Sequence, residues 1–325
     1  MNISDIFKIR DTSEFNSFAL ELFSHQYRCN KVYKEFCDYL KKSDKNVKDL
    51  YEIPFLPIDL FKHKSVISEG LSAQLVFTSS GTTGLSTSKH FVADPGVYEQ
   101  SFQNTFENFY GAVKDYCILA LLPSYLERSD SSLIYMMNSL ISKSDHPESG
   151  FYLDDLRGLR DKLIALDLEE NKVLLVGVSY ALLDLIANNS FSLKNTLIME
   201  TGGMKGRRKE MVRDELHEKL QKGFGVSDIH SEYGMTELLS QAYSKGQGIF
   251  NTPSWMKVLC RDPEDPLHYQ PAGKTGGINV IDFANIHSCS FIATQDLGRV
   301  YSNESFEVIG RFDHSDIRGC NLMVM

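Results

Sequence analysis

Apolar and polar positions change their period twice along this chain. Phe15, Phe18, Ala19 and Leu22, then Tyr33, Phe36, Cys37 and Leu40, recur at helical spacing. That pattern predicts one or two amphipathic helices over residues 15–40 whose aromatics face a core. After a segment marked by Pro54 and Pro57, short apolar runs take over at 75–77, 117–122, 173–178 and 196–199. Each has the length of one buried strand, and the last three lead into helix-like stretches, which predicts an α/β sheet domain. The final third changes again. Gly246, Gly248, Pro253, Pro263, Pro266, Pro271, Gly273 and Gly276-Gly277 punctuate short segments there, predicting a β-rich, barrel-like sublobe attached to the sheet.

Bulk properties narrow the class. A chain of 325 residues with 42% hydrophobic and 24% charged positions can bury a large core. Its net charge of −9 argues against a nucleic-acid partner. The basic run Lys205-Gly206-Arg207-Arg208 is short and lies next to acids. No apolar run reaches the roughly 20 residues that span a bilayer, and the N-terminus lacks the pattern of a signal peptide. Six cysteines (29, 37, 117, 260, 289, 320) form no Cys-x-x-Cys pair, so neither zinc nor a disulfide frame is indicated. A reducing cytoplasm is expected.

The chemistry concentrates after residue 77. Ser79-Ser80-Gly81-Thr82-Thr83-Gly84 follows directly on the apolar run, with Lys89 shortly downstream. Small hydroxyls and unobstructed N–H groups suit a polyphosphate. Glycines three apart allow close backbone approach. This is not a Walker A loop, because no Gly-Lys-Ser/Thr follows in place. By composition alone the stretch equally reads as a plain surface loop. Further along come Thr201-Gly202-Gly203, Glu232-Tyr233-Gly234-Met235-Thr236-Glu237, Thr294-Gln295-Asp296-Leu297-Gly298 and Gly310-Arg311-Phe312-Asp313. Read singly, these are a strand-to-helix turn, a helix N-cap and turn residues.

In that order the five segments resemble the signature motifs of the adenylate-forming enzymes, the acyl- and aryl-CoA ligase superfamily. Ile53-Pro54-Phe55-Leu56-Pro57-Ile58 with Phe61-Lys62, and the ending Ile317-Arg318-Gly319-Cys320-Asn321-Leu322-Met323, resemble the acyl-protein synthetases of bacterial bioluminescence, the LuxE family. The resemblance implies an α/β fold of the adenylate-forming N-terminal type, without the usual mobile C-terminal domain because the chain stops 12 residues after the hinge Asp313. It divides the chain into a helical N-terminal segment (1–60), a catalytic domain (61–313) and a tail (314–325). It implies ATP and Mg²⁺ as cofactors and a carboxylic, fatty acid as substrate, with a protein that donates or accepts the acyl group.

Roles carry over residue by residue. The resemblance implies that Ser79, Ser80, Gly81, Thr82, Thr83 and Gly84 hold the phosphates, with Lys89 adding charge. Gly202, Gly203, Glu232, Tyr233, Gly234 and Thr236 shape the adenine site, Asp296 takes the ribose hydroxyls, and Arg311 reaches ribose or phosphate. Thr82, Thr236 and Glu237 offer oxygen ligands suited to Mg²⁺. Cys320 carries the acyl group. Nine residues from Arg311, it has an extended reach of at most about 30 Å.

Two other classes compete. Gly177-Val178-Ser179-Tyr180-Ala181 after an apolar run is close to the nucleophile elbow of α/β-hydrolases, with nine histidines available as base. A thioesterase acting through Ser179 would follow, although Ala181 replaces the second glycine of the elbow. The third reading is a non-catalytic nucleotide-binding relic.

Overall fold

The computed structural model describes residues 2–79, 87–122, 130–153, 155–187, 189–202 and 211–312. The N-terminal periodicity resolves into α1 (Ile3–Ile6), α2 (Thr12–Cys29) and α3 (Lys31–Tyr39). Asn30 separates the last two. Its backbone is extended, and its side chain accepts from the Tyr33 N–H, capping α3. The same amide donates to the Ser288 carbonyl at 2.7 Å, so the residue that breaks the helix also docks it on the distant last third.

The lead-in segment forms β1 (Leu56–Pro57) and α4 (Leu60–His63). Next come an antiparallel hairpin of β2 (Leu75–Thr78) and β3 (Lys89–Val92), and α5 (Pro95–Tyr110), capped by Asp94 with proline in its first turn. An alternating series follows: β4 (Cys117–Leu121), α6 (Ser132–Ser144), β5 (Gly150–Phe151), α7 (Leu156–Leu168), β6 (Val173–Gly177), α8 (Ser179–Ala187), β7 (Thr196–Glu200), α9 (Arg213–Phe224) and β8 (His230–Tyr233). Every residue of β4 and β6 is buried, as strands covered on both faces must be. Short strands complete the chain: β9 (Ala242–Ser244), β10 (Ile249–Asn251), β11 (Met256–Arg261), β12 (Thr275–Asp282), β13 (Phe291–Val300) and β14 (Phe306–Arg311).

Strands β4 to β8 pair in parallel, whereas β8 and β9 pair antiparallel. The β-rich last third is therefore joined edge to edge to the α/β half, within one 12-stranded sheet. Two hydrophobic cores result. One wraps α5 to α9 around the parallel strands. The other packs α2, α3 and the lead-in segment on β11 to β13, with Phe283 stacked 4.3 Å from Phe15. Their seam runs past the C-terminal end of β8, where an open α/β sheet places its ligands.

Candidate active site

Beyond β8 the chain makes a turn through Gly234 to Ser240 rather than starting a helix. Two buried side chains pin that turn by its backbone. Asp282 accepts from the Leu239 and Ser240 N–H groups at 2.9 and 2.8 Å and from the Ser240 hydroxyl at 2.6 Å. Asn285 donates to the Glu237 carbonyl at 2.8 Å and accepts from Leu239. A third anchor is His90 of β3, whose Nδ1 lies 2.9 Å from the Thr236 carbonyl and whose Nε2 lies 2.9 Å from the Ser288 hydroxyl. Burial lowers its pKa to about 4, so the ring is neutral at physiological pH. The hairpin and the Tyr-Gly-Met-Thr-Glu turn are thus locked together.

Tyr233 projects towards the last third. Its hydroxyl donates to Asp296 Oδ2 at 2.8 Å, and Arg311 Nε lies 3.4 Å from Asp296 Oδ1. Register explains the meeting, because Asp296 of β13 pairs with Arg311 of β14. Burial pushes the Asp296 carboxyl above its ordinary range, against the Tyr233 hydrogen bond and the charges of Arg311 and Arg261. Arg261 lies behind, buried, donating to the Ile278 and Thr294 carbonyls at 2.6 and 2.5 Å. It fits because Gly277 has no side chain; a Cβ there would meet the guanidinium carbon at 2.5 Å.

Glu237 faces the base of the hairpin. Burial pushes its carboxyl up, opposed by a hydrogen bond from Ser88 and by the charges of Arg311 and Lys62. Lys62 is delivered by the lead-in segment, which pairs with β13 through Leu56 and Ile292, and its Nζ lies 2.6 Å from Asp59 Oδ1. Ser79 closes the hairpin base: its hydroxyl accepts from the Ser88 N–H at 2.9 Å. Lys89, alternating with buried Ser88 and His90, is exposed beside the loop. Among the described residues no cluster of three or more His, Cys, Asp or Glu stands ready for a metal. A single carboxylate, Glu237, still suits Mg²⁺, which binds through one or two carboxylates plus substrate phosphates and waters.

The β7 edge of β8 is built differently. Glu200, ending β7, accepts from the Ser179 hydroxyl at 3.2 Å and the Gly202 N–H at 2.6 Å, and lies 3.6 Å from His217 Nε2. Burial alone would raise its pKa, but hydrogen bonds from His217, Ser231 and Gly202 and the charge of Arg213 hold it below the usual value. The acid stands between serine and histidine, whereas a serine nucleophile needs the base next to it. The Ser179 elbow is therefore not assembled. Glu232, half-buried, has its carboxyl pushed up to about 8 by burial and by the charge of Glu200.

Of the residues singled out from sequence, the structure brings together Tyr233, Asp296, Arg311 and Glu237, with Thr236 and Gly234 in the pinned turn and Ser79 and Lys89 at the hairpin. Gly202 is tied to Glu200, and Glu232, alternating with Tyr233, points to the other face of β8 beside Tyr243. Ser80, Gly81, Thr82, Thr83, Gly84, Gly203, Asp313 and Cys320 lie outside the described residues. Sequence reasoning passed over Asp282, Asn285, His90 and Arg261, which act through backbone contacts with distant segments. The one available signal was the glycine pair 276–277 inside a strand pattern.

Solved ligase structures share this fold. ATP-bound MatB from Rhodopseudomonas palustris superposes with a TM-score of 0.52 at 18% identity, covering 73% of this chain and 47% of that one. A long-chain-fatty-acid-CoA ligase (FadD1) from Archaeoglobus fulgidus gives 0.52 at 15%, over 73% and 51%. A 2-hydroxyisobutyryl-CoA ligase in its postadenylation state gives 0.65 at 10%, over 94% and 69%. The chain thus spans about half the length of the first of these, and the likeness establishes an adenylate-forming N-terminal-domain fold. No curated protein matches by sequence. Residues 8–93 and 154–325 match the acyl-protein synthetase family model, and the chain belongs to that family, LuxE.

Proposed function

We propose that the protein activates a carboxylic acid with ATP and holds the product on a cysteine. The observation that carries this reading is the Tyr233–Asp296–Arg311 constellation beside a hairpin whose loop is Ser-Ser-Gly-Thr-Thr-Gly. An aromatic face next to a carboxylate suits a nucleoside, since vicinal hydroxyls donate to the carboxylate while the base lies on the ring. Loop N–H groups and hydroxyls suit the phosphates. MatB, an ATP-bound neighbour of the same fold, supports ATP as the nucleotide.

The chemistry is acyl transfer in two displacements. A carboxylate oxygen attacks the α-phosphorus, the bond to the bridging oxygen breaks, and pyrophosphate leaves. The Cys320 thiolate then attacks the acyl carbon, forming a thioester and releasing AMP, with the thiol proton lost to solvent. Donors in residues 79–84, with Lys62 and Arg311, stabilise charge developing on phosphate. Glu237 and Thr82 would hold Mg²⁺, which screens the phosphates when bound. Family likeness favours a fatty acid and leaves its substituents open. A protein acyl donor or acceptor completes the cycle.

Cys320→Ala separates the halves. It should keep acid-dependent pyrophosphate exchange yet retain no labelled acyl group after denaturation, whereas wild type retains a hydroxylamine-labile adduct. Undiminished label on C320A, mapped to another residue, contradicts the thioester step.

A further inference from the structure

The side of β8 away from Tyr233 contains polar atoms that the fold leaves unused. Gln241 is 3% exposed, yet its carboxamide oxygen has no hydrogen-bond partner, and neither does the buried Thr201 hydroxyl. A buried unsatisfied polar group costs about 1–3 kcal/mol, so each such group in a native fold calls for an explanation. The half-buried Glu232 carboxyl projects from β8 on this same face, alternating with Tyr233.

These groups converge. Gln241 directly precedes β9, and β8 pairs with β9 through Tyr233 and Ala242, so Gln241 stands opposite Gly234. A Cβ on Gly234 would collide with a Glu232 carboxylate oxygen and touch Gln241 Cγ at 3.5 Å. Only glycine lets the Glu232 carboxyl lie here next to Gln241. Thr201 joins from the end of β7: the parallel register that pairs Glu200 with Ser231 sets the next residue, Thr201, beside Glu232. Tyr98 and Tyr243, core residues electrostatically coupled to Glu232, lie on the same side. The site therefore combines an aromatic wall with oxygen atoms that lack donors, at the carboxyl ends of parallel strands.

We propose that this is the acyl subsite, and that it selects a carboxylic acid whose chain carries a hydrogen-bond donor, a hydroxyl or an amine, received by Gln241, Glu232 and Thr201. The inference rests on the adenylation reading above, which assigns the Tyr233 side to the nucleotide and leaves this side to the acid. A plain alkyl chain would seal these oxygens away from water without a partner. A donor-bearing chain satisfies them. Sites built to hydrogen-bond a substrate group discriminate strongly against the analogue that lacks it.

The test is ATP–pyrophosphate exchange with octanoic acid and each of its mono-hydroxy and mono-amino isomers, for wild type, Gln241→Met and Thr201→Val. In wild type at least one substituted acid should exceed octanoate in kcat/KM by more than about tenfold. Hydroxy isomers leading identifies a hydroxyl, and amino isomers leading identifies an amine. In either variant that melts as wild type does, the advantage should collapse towards unity. Octanoate equal to or better than every isomer, or an advantage unmoved in both folded variants, overturns this inference alone. No exchange with any acid overturns the adenylation reading and this inference with it.

Discussion

The two sides of β8 show opposite ways of preparing a polar site. On the Tyr233 side the groups are already paired: phenol to Asp296, Asp296 to Arg311, Arg261 to two carbonyls. Such a site is set before ligand arrives, and a nucleoside can exchange one hydrogen bond for another with little rearrangement. On the Glu232 side, Gln241 and Thr201 hold oxygens without partners next to a carboxyl with raised pKa. Pairing fixes geometry for a ligand part that never varies. Unpaired groups make binding conditional on what the ligand brings, which is how a site discriminates.

The sharpest break in this contrast is Asp296→Ala. Losing a carboxylate that receives two ribose hydroxyls costs about 1.5–3 kcal/mol per charge-assisted bond, hence on the order of 10²–10⁴ in pyrophosphate exchange. The ranking among acids should stay as in wild type, because Asp296 lies on the nucleotide side. A D296A enzyme that exchanges at near wild-type rate would place the nucleotide elsewhere.

A smaller effect sharpens the other side. Glu232 titrates near 8 in the fold against an ordinary 4.5, so the native state binds its proton more tightly than the unfolded chain does. The stability this contributes is complete below about pH 4.5 and is lost as pH rises through about 8. The charged and titratable groups that act on it are Glu200, Tyr98 and Tyr243. Urea unfolding of wild type should weaken between pH 5 and 9 by on the order of 2–4 kcal/mol more than Glu232→Gln, which cannot ionise. Parallel pH profiles for the two proteins would show that Glu232 is charged throughout.

How far the sequence disclosed this depended on the range of each interaction. The runs at 117–122, 173–178 and 196–199 were readable because strands buried on both faces are apolar at successive positions. The helices over 15–40 were readable through their period, and Asn30, which splits them, has only its capping propensity as a signal. Tyr233, Glu237, Asp296 and Arg311 stood out because each belongs to a short fixed motif. Asp282, Asn285 and His90 did not, since each holds the 236–240 backbone from 42 or more positions away. Gln241 was equally silent. Its importance is a missing hydrogen bond, and absence of a partner is a property of packing that leaves no trace in residue order. The Ser179 elbow shows the converse: the local pattern was present, but Glu200 occupies the place of its base.

Exchange of labelled pyrophosphate into ATP by the wild-type protein tests the central claim most directly. The account predicts exchange that requires both Mg²⁺ and a carboxylic acid, rises with acid concentration to saturation, and needs no acyl acceptor. A folded protein that binds MgATP but incorporates label no faster with any carboxylic acid than without one would contradict it.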